Sequence, residues 1–124
     1  MNLKNLWTCI LAGAALTFAS VSYAHDSPAR YGGVVRTVGD LHFELVAGDE
    51  GAIIHLEDHG KPVPTAGMSG KLTVLAGKET RDVELVPAGG NRLLAKGVKL
   101  GSGAKAVASI QRDGKTFTAR FALK

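Results

Sequence analysis

The sequence predicts an all-β fold, an antiparallel immunoglobulin-like β-sandwich of seven or eight strands, and three observations carry that prediction. From Val34 onward, short runs rich in β-branched and aromatic residues alternate apolar with polar side chains, the period of a half-buried strand. Glycine-bearing turns separate these runs at a spacing of about 8–12 residues, as in a sandwich, with a small barrel as the alternative. Beyond the N-terminal apolar stretch, no segment keeps the 3.6-residue period of an amphipathic helix.

The N-terminus is expected to leave the mature protein. Lys4 supplies a positive charge, Leu6 to Phe18 is an almost unbroken apolar run, and Ser22-Tyr23-Ala24 offers small residues for cleavage after Ala24. These are the parts of a secretory signal peptide, 1–24, and the run falls short of the about 20 residues of a membrane span. Cys9 lies inside the apolar run and lacks the preceding small residues of a lipid-modified cysteine. Cleavage predicts a periplasmic protein with no membrane insertion. Residues 25–32, polar and containing Pro28, read as a flexible arm, and 33–124 as the folded domain.

Each strand has its own warrant. Leu41, Phe43 and Leu45 share one face of the second run, with His42 and Glu44 on the other; Ala52, Ile54 and Leu56 point inward in the third, leaving His55 and Glu57. Lys71–Leu75 and Arg81–Val86 form a hairpin through Ala76-Gly77-Lys78-Glu79, and Arg92–Val98 is a weaker strand. Ala104–Arg112 and Lys115–Leu123 flank Asp113-Gly114, a turn pair that accepts positive φ at both residues. That register sets Ile110 opposite Phe117 and Ala108 opposite Ala119. The expected core is Phe43, Leu45, Ile54, Leu56, Val74, Val83, Leu85, Ile110, Phe117 and Phe121.

Composition excludes several functions. Without Lys4 the chain carries 14 basic and 11 acidic residues, a net of +3, with the two signs interspersed. A nucleic-acid reader needs a basic face and stacking aromatics, and only Tyr31, Phe43, Phe117 and Phe121 remain. The lone cysteine, Cys9, departs with the signal, which removes thiol chemistry and thiolate metal sites. No nucleophile elbow or phosphate loop is present: Gly67-Met68-Ser69-Gly70 and Gly77-Lys78 both have the wrong spacing. The sequence therefore does not read as an enzyme.

Histidine placement carries what chemistry remains, and all four histidines, His25, His42, His55 and His59, follow the cleavage point. A loop of Ala47-Gly48-Asp49-Glu50 sets His42 across from His55, with Cβ atoms about 4.5–5.5 Å apart. A tighter two-residue loop sets His42 opposite Glu57 and His55 opposite Glu44. Either register gathers His42, His55, Glu44 and Glu57 on one face as candidate ligands, with His59 four residues beyond His55. His25, as the first mature residue, adds an α-amine to its imidazole, a chelate for Cu(II), Ni(II) or Zn(II). Met68, in a glycine-flanked turn, is either a thioether donor for Cu(I) or a core filler.

The segments Tyr31-Gly32-Gly33-Val34-Val35, Leu41–Val46, Leu56–Val63 and Pro87–Leu93 together resemble small periplasmic proteins encoded beside heavy-metal efflux systems, and similar segments attached to the adaptors of such pumps. More distantly the chain is similar to copper-resistance protein C-like domains, immunoglobulin-like sandwiches whose first mature histidine binds Cu(II). Only His25 carries over from those, because no histidine follows His59 to match their later ligands. The resemblance implies a periplasmic metal-binding protein for copper, or for zinc or nickel, serving an envelope efflux complex. The competing expectation is an immunoglobulin-like module that docks on an envelope complex without metal.

Overall fold

The structure, a computed structural model, describes residues 28–124. The signal segment 1–24 and His25 lie outside the described residues. Nine strands are present and no helix is found among the described residues: β1 (Val34–Val38), β2 (Leu41–Ala47), β3 (Gly51–Asp58), β4 (Lys61–Pro62), β5 (Ser69–Ala76), β6 (Glu79–Pro87), β7 (Arg92–Lys96), β8 (Lys105–Arg112) and β9 (Lys115–Ala122).

All pairings are antiparallel, and the strands follow one path, β1-β2-β3-β7-β6-β5-β8-β9, with β4 attached to β3. The path curls until its two ends lie side by side, where Arg36 Nε donates to the Arg120 carbonyl at 3.0 Å. The result is nearly a barrel. β6 pairs with β5 from Glu79 to Leu85 and with β7 only at Val86 and Pro87, so one strand belongs to both halves of the sheet. The expected count of seven or eight strands missed β4, a two-residue strand that ends on Pro62 and has no alternation to read.

Sequence periodicity and burial agree along the long strands. Phe43, Ile54, Leu56, Leu72, Leu93 and Ala108 are wholly inaccessible, and Leu45, Leu85, Ile110 and Phe121 nearly so. Val83 and Phe117 are half-buried at the margin of this core, with the Phe117 ring tilted 47° to Phe43 at a centroid distance of 6.5 Å. Asp113-Gly114 turns with φ of 51° and 76°, and sets Ile110 opposite Phe117 and Ala108 opposite Ala119. His59-Gly60 makes the same kind of turn between β3 and β4, with φ of 53° and 82°.

The β2–β3 register decides what the functional face looks like. Ala47 pairs with Ala52, Gly48 N–H donates to the Gly51 carbonyl at 2.8 Å, and the loop shrinks to Asp49-Glu50. A Cβ on Gly51 would sit 2.1 Å from the Ala95 carbonyl oxygen, so only glycine lets β7 approach here. Of the two possible registers, the tight one is therefore adopted: His42 pairs with Glu57, and Glu44 with His55.

Candidate functional site

That register lays down two rungs across the outer face of the sheet. One runs Val35–Glu44–His55–Arg92 and the other Thr37–His42–Glu57–Pro62. Each rung brings one histidine against one glutamate. Outward-facing carboxylates ordinarily stay solvated, yet Glu44 is 5% and Glu57 8% exposed. The cover comes from the segment before β1, which folds back over this face.

The sequence reads 25–32 as a flexible arm; its described part, from Pro28, is held against this face. Glu44 accepts backbone N–H bonds from Arg30 on Oε1 and from Tyr31 and Gly33 on Oε2, each at 2.8 Å. A carboxylate holding three backbone donors in this way makes charge-assisted bonds, roughly twice as strong as neutral ones. Gly33 permits the approach, since a Cβ there would lie 2.1 Å from the Leu45 carbonyl oxygen. Arg30 Nε reaches Glu57 Oε1 at 3.4 Å, which tethers the segment to the second rung as well. Tyr31 lies flat on the His55 imidazole, ring centroids 3.6 Å apart and planes 7° from parallel.

His55 is the chemically distinctive group. Burial holds its pKa below the ordinary 6.5, aided by Arg92 and partly opposed by Glu44, Glu57 and a hydrogen bond with Asn91. Asn91, the hydrogen-bonding neighbour of this ring, is itself held by its Nδ2, which donates to the Leu56 carbonyl at 3.0 Å. Nδ1 is buried and has no hydrogen-bond partner. A buried nitrogen without a partner is uncommon enough to require a reason. His42 is better satisfied, with Nδ1 2.9 Å from the Thr37 hydroxyl.

The remaining candidate ligands lie elsewhere. His59 is exposed in the β3–β4 turn and its Nδ1 meets Asp58 Oδ1 at 2.5 Å. It lines a separate open cleft with Lys61, Pro64 and Arg112. Met68 is 5% exposed and belongs to the hydrophobic core, so of the two roles open to it, core filler is the one its position favours. Among the described residues, no three His, Asp or Glu side chains are gathered as a ready-made ion site. His42, Glu44, His55 and Glu57 do line one crevice with Pro28, Tyr31 and Val35. Its volume is about 10 Å³, the lower limit for a single water.

Sequence reasoning missed Arg30, Tyr31, Asn91 and Arg92 as parts of this site. The one available signal was Tyr31, the only aromatic after residue 24 that falls outside the strands' apolar alternation. No family model, characterised protein or solved structure matches the chain.

Proposed function

We propose that this is a periplasmic transition-metal binding protein, taking copper as Cu(II), or zinc or nickel, for homeostasis or for delivery to an efflux complex. The observation that carries the reading is the buried, unpartnered Nδ1 of His55, on a face that also holds His42 and Glu57. A neutral imidazole with a free lone pair is the species a borderline metal ion takes as ligand. Glu57 supplies an oxygen beside His42. His25 stands three residues before Pro28, a reach of about 10 Å, and Pro28 already lines the crevice. Whether the terminal chelate joins the strand donors is what the glycine-extended form below reads. With Met68 in the core and no cysteine after Cys9, the donors are nitrogen and oxygen, which favours Cu(II) over Cu(I). The sequence resemblance to small periplasmic proteins of metal-efflux systems points the same way.

Binding exchanges ligands and breaks no bond in a substrate, so no catalytic residue is assigned. Calorimetric titration of the protein from His25 onward tests the proposal, beside the double variant His42→Ala/His55→Ala and a form with one glycine added before His25. Loss in the double variant alone places the ion on the strands, and loss in the extended form alone places it at the terminus. No binding tighter than about 0.1 mM, roughly −5.5 kcal/mol, to any of the three ions would overturn it. The docking module would then lead, and one feature favours it: among the described residues, Glu79–Leu85 of β6 has no ladder partner on the side away from β5.

A further inference from the structure

We propose that Pro28–Gly33 is a strap that shuts the His42–His55 site and that Glu44 is its latch, not a ligand, so that metal capture and strap closure exclude one another. This rests on the metal reading above and adds the regulation of that site. Three features of the closed form argue for it independently. The Glu44 carboxylate is already committed to the N–H groups of Arg30, Tyr31 and Gly33, and a group that accepts three such bonds has little left to offer an ion. Tyr31 closes one face of the imidazole, and the in-plane nitrogen that would coordinate, Nδ1, is buried with no partner. The crevice beneath, about 10 Å³, admits no hydrated ion.

The strap is also built to lift. Tyr31 is 42% exposed, and of the five contacts described for the segment, three converge on one carboxylate, the others being the Arg30–Glu57 pair and the Tyr31–His55 stack. One side chain thus governs most of the closure. When a binding-competent form is a minor fraction, the apparent dissociation constant rises by the inverse of that fraction. Weakening the latch should therefore tighten metal binding. A ligand role for Glu44 predicts the opposite sign.

The test uses Glu44→Gln, Glu44→Ala and Tyr31→Ala, with Zn(II) and Cu(II) as probes. Tyr31→Ala removes a strap side chain that lies outside the core cluster, so the barrel should stand. Amide hydrogen exchange at Arg30, Tyr31 and Gly33 should accelerate at least about tenfold in both Glu44 variants, and metal affinity should rise at least about fivefold in Glu44→Ala and Tyr31→Ala. The electron paramagnetic resonance signature of bound Cu(II) should be the same in wild type and Glu44→Ala, since no ligand has changed. Weaker binding or an altered spectrum in Glu44→Ala would overturn the latch and make Glu44 a ligand. Unchanged exchange in the Glu44 variants would overturn the strap. No binding in any protein, with exchange still accelerated, would sink the metal reading and the exclusion together while the latch stood as a structural device.

Discussion

Replacing Phe43 with alanine tests the register on which the whole site depends. Phe43 lies between His42 and Glu44 on β2, so its inward orientation is what turns those two side chains outward. Its side chain is wholly inaccessible. Removing a buried phenylalanine costs about 3–5 kcal/mol, the sum of lost transfer energy and the cavity left behind. A part of that, about 0.5–1.5 kcal/mol, belongs to the tilted contact with Phe117 at 6.5 Å. Phe117 is only half-buried at the core margin, so Phe117→Ala should cost less, about 2 kcal/mol. Urea unfolding of the two single variants and the double variant separates these contributions, and a positive coupling of about 1 kcal/mol is expected from residues in contact. The domain's total stability is on the order of 5–15 kcal/mol, so Phe43→Ala should lower the urea midpoint markedly without changing the slope. A cost below about 1.5 kcal/mol, the range of a surface or edge position, would mean that β2 presents its other face to the core. His42 and Glu44 would then point inward, and the site would not exist as described.

Other outcomes follow from the same geometry. Burial lowers the pKa of His55, so the unfolded chain takes up the proton first as pH falls. Stability should decline below about pH 6.5 and level off once the folded form is protonated too; His55→Asn should remove that part of the pH dependence, read from urea midpoints between pH 8 and 5. Metal affinity should weaken over the same acid range, because protonated imidazole does not coordinate; calorimetry at pH 7.5 and 5.5 reads it. Gly33→Ala, whose Cβ would meet the Leu45 carbonyl, should accelerate exchange of the Arg30 and Tyr31 amides while leaving the core strands protected. Thr65→Val should cost about 1–2 kcal/mol, since Thr65 is 1% exposed and its hydroxyl donates to the Arg92 carbonyl at 2.8 Å; a neutral result in urea unfolding would show that bond to be dispensable.

The strands were legible because their information is local. Alternation at Leu41–Leu45 and the Asp113-Gly114 pair each specify face or register within a few residues, and both are realised. The β2–β3 register was open between two choices because the loop sequence Ala47-Gly48-Asp49-Glu50 tolerates either. What decides it is non-local: the close approach of Gly51 to Ala95 on β7. β4 was illegible for the opposite reason, since two residues carry no period. The site was half legible. His42, His55, Glu44 and Glu57 do share one face, as strand parity requires, but parity says nothing of what lies above that face. Glu44 reads as a solvated charge until a segment 11 to 14 residues earlier in the chain returns to it. A polar stretch with one proline carries no pattern announcing that its amides will seek a particular carboxylate. His59 shares sequence parity with His55 and is separated from it by the left-handed turn at His59-Gly60, a break that Gly60 only hints at.

The double allegiance of β6 has a consequence for how the molecule comes apart. Its first seven residues are stitched to β5 and its last two to β7, which in turn is stitched to β3. No cut through the backbone leaves two pieces that each keep a finished hydrophobic interior, because one core cluster draws on both the β1–β3 meander and the β8–β9 hairpin, whose outer strands β1 and β9 lie side by side. Loss of either half strips the other's apolar face bare. Melting should accordingly run as one event seen identically by every probe, with the strap as the single portion free to detach beforehand. A protein assembled in this way can move its cover while the barrel beneath it stays whole.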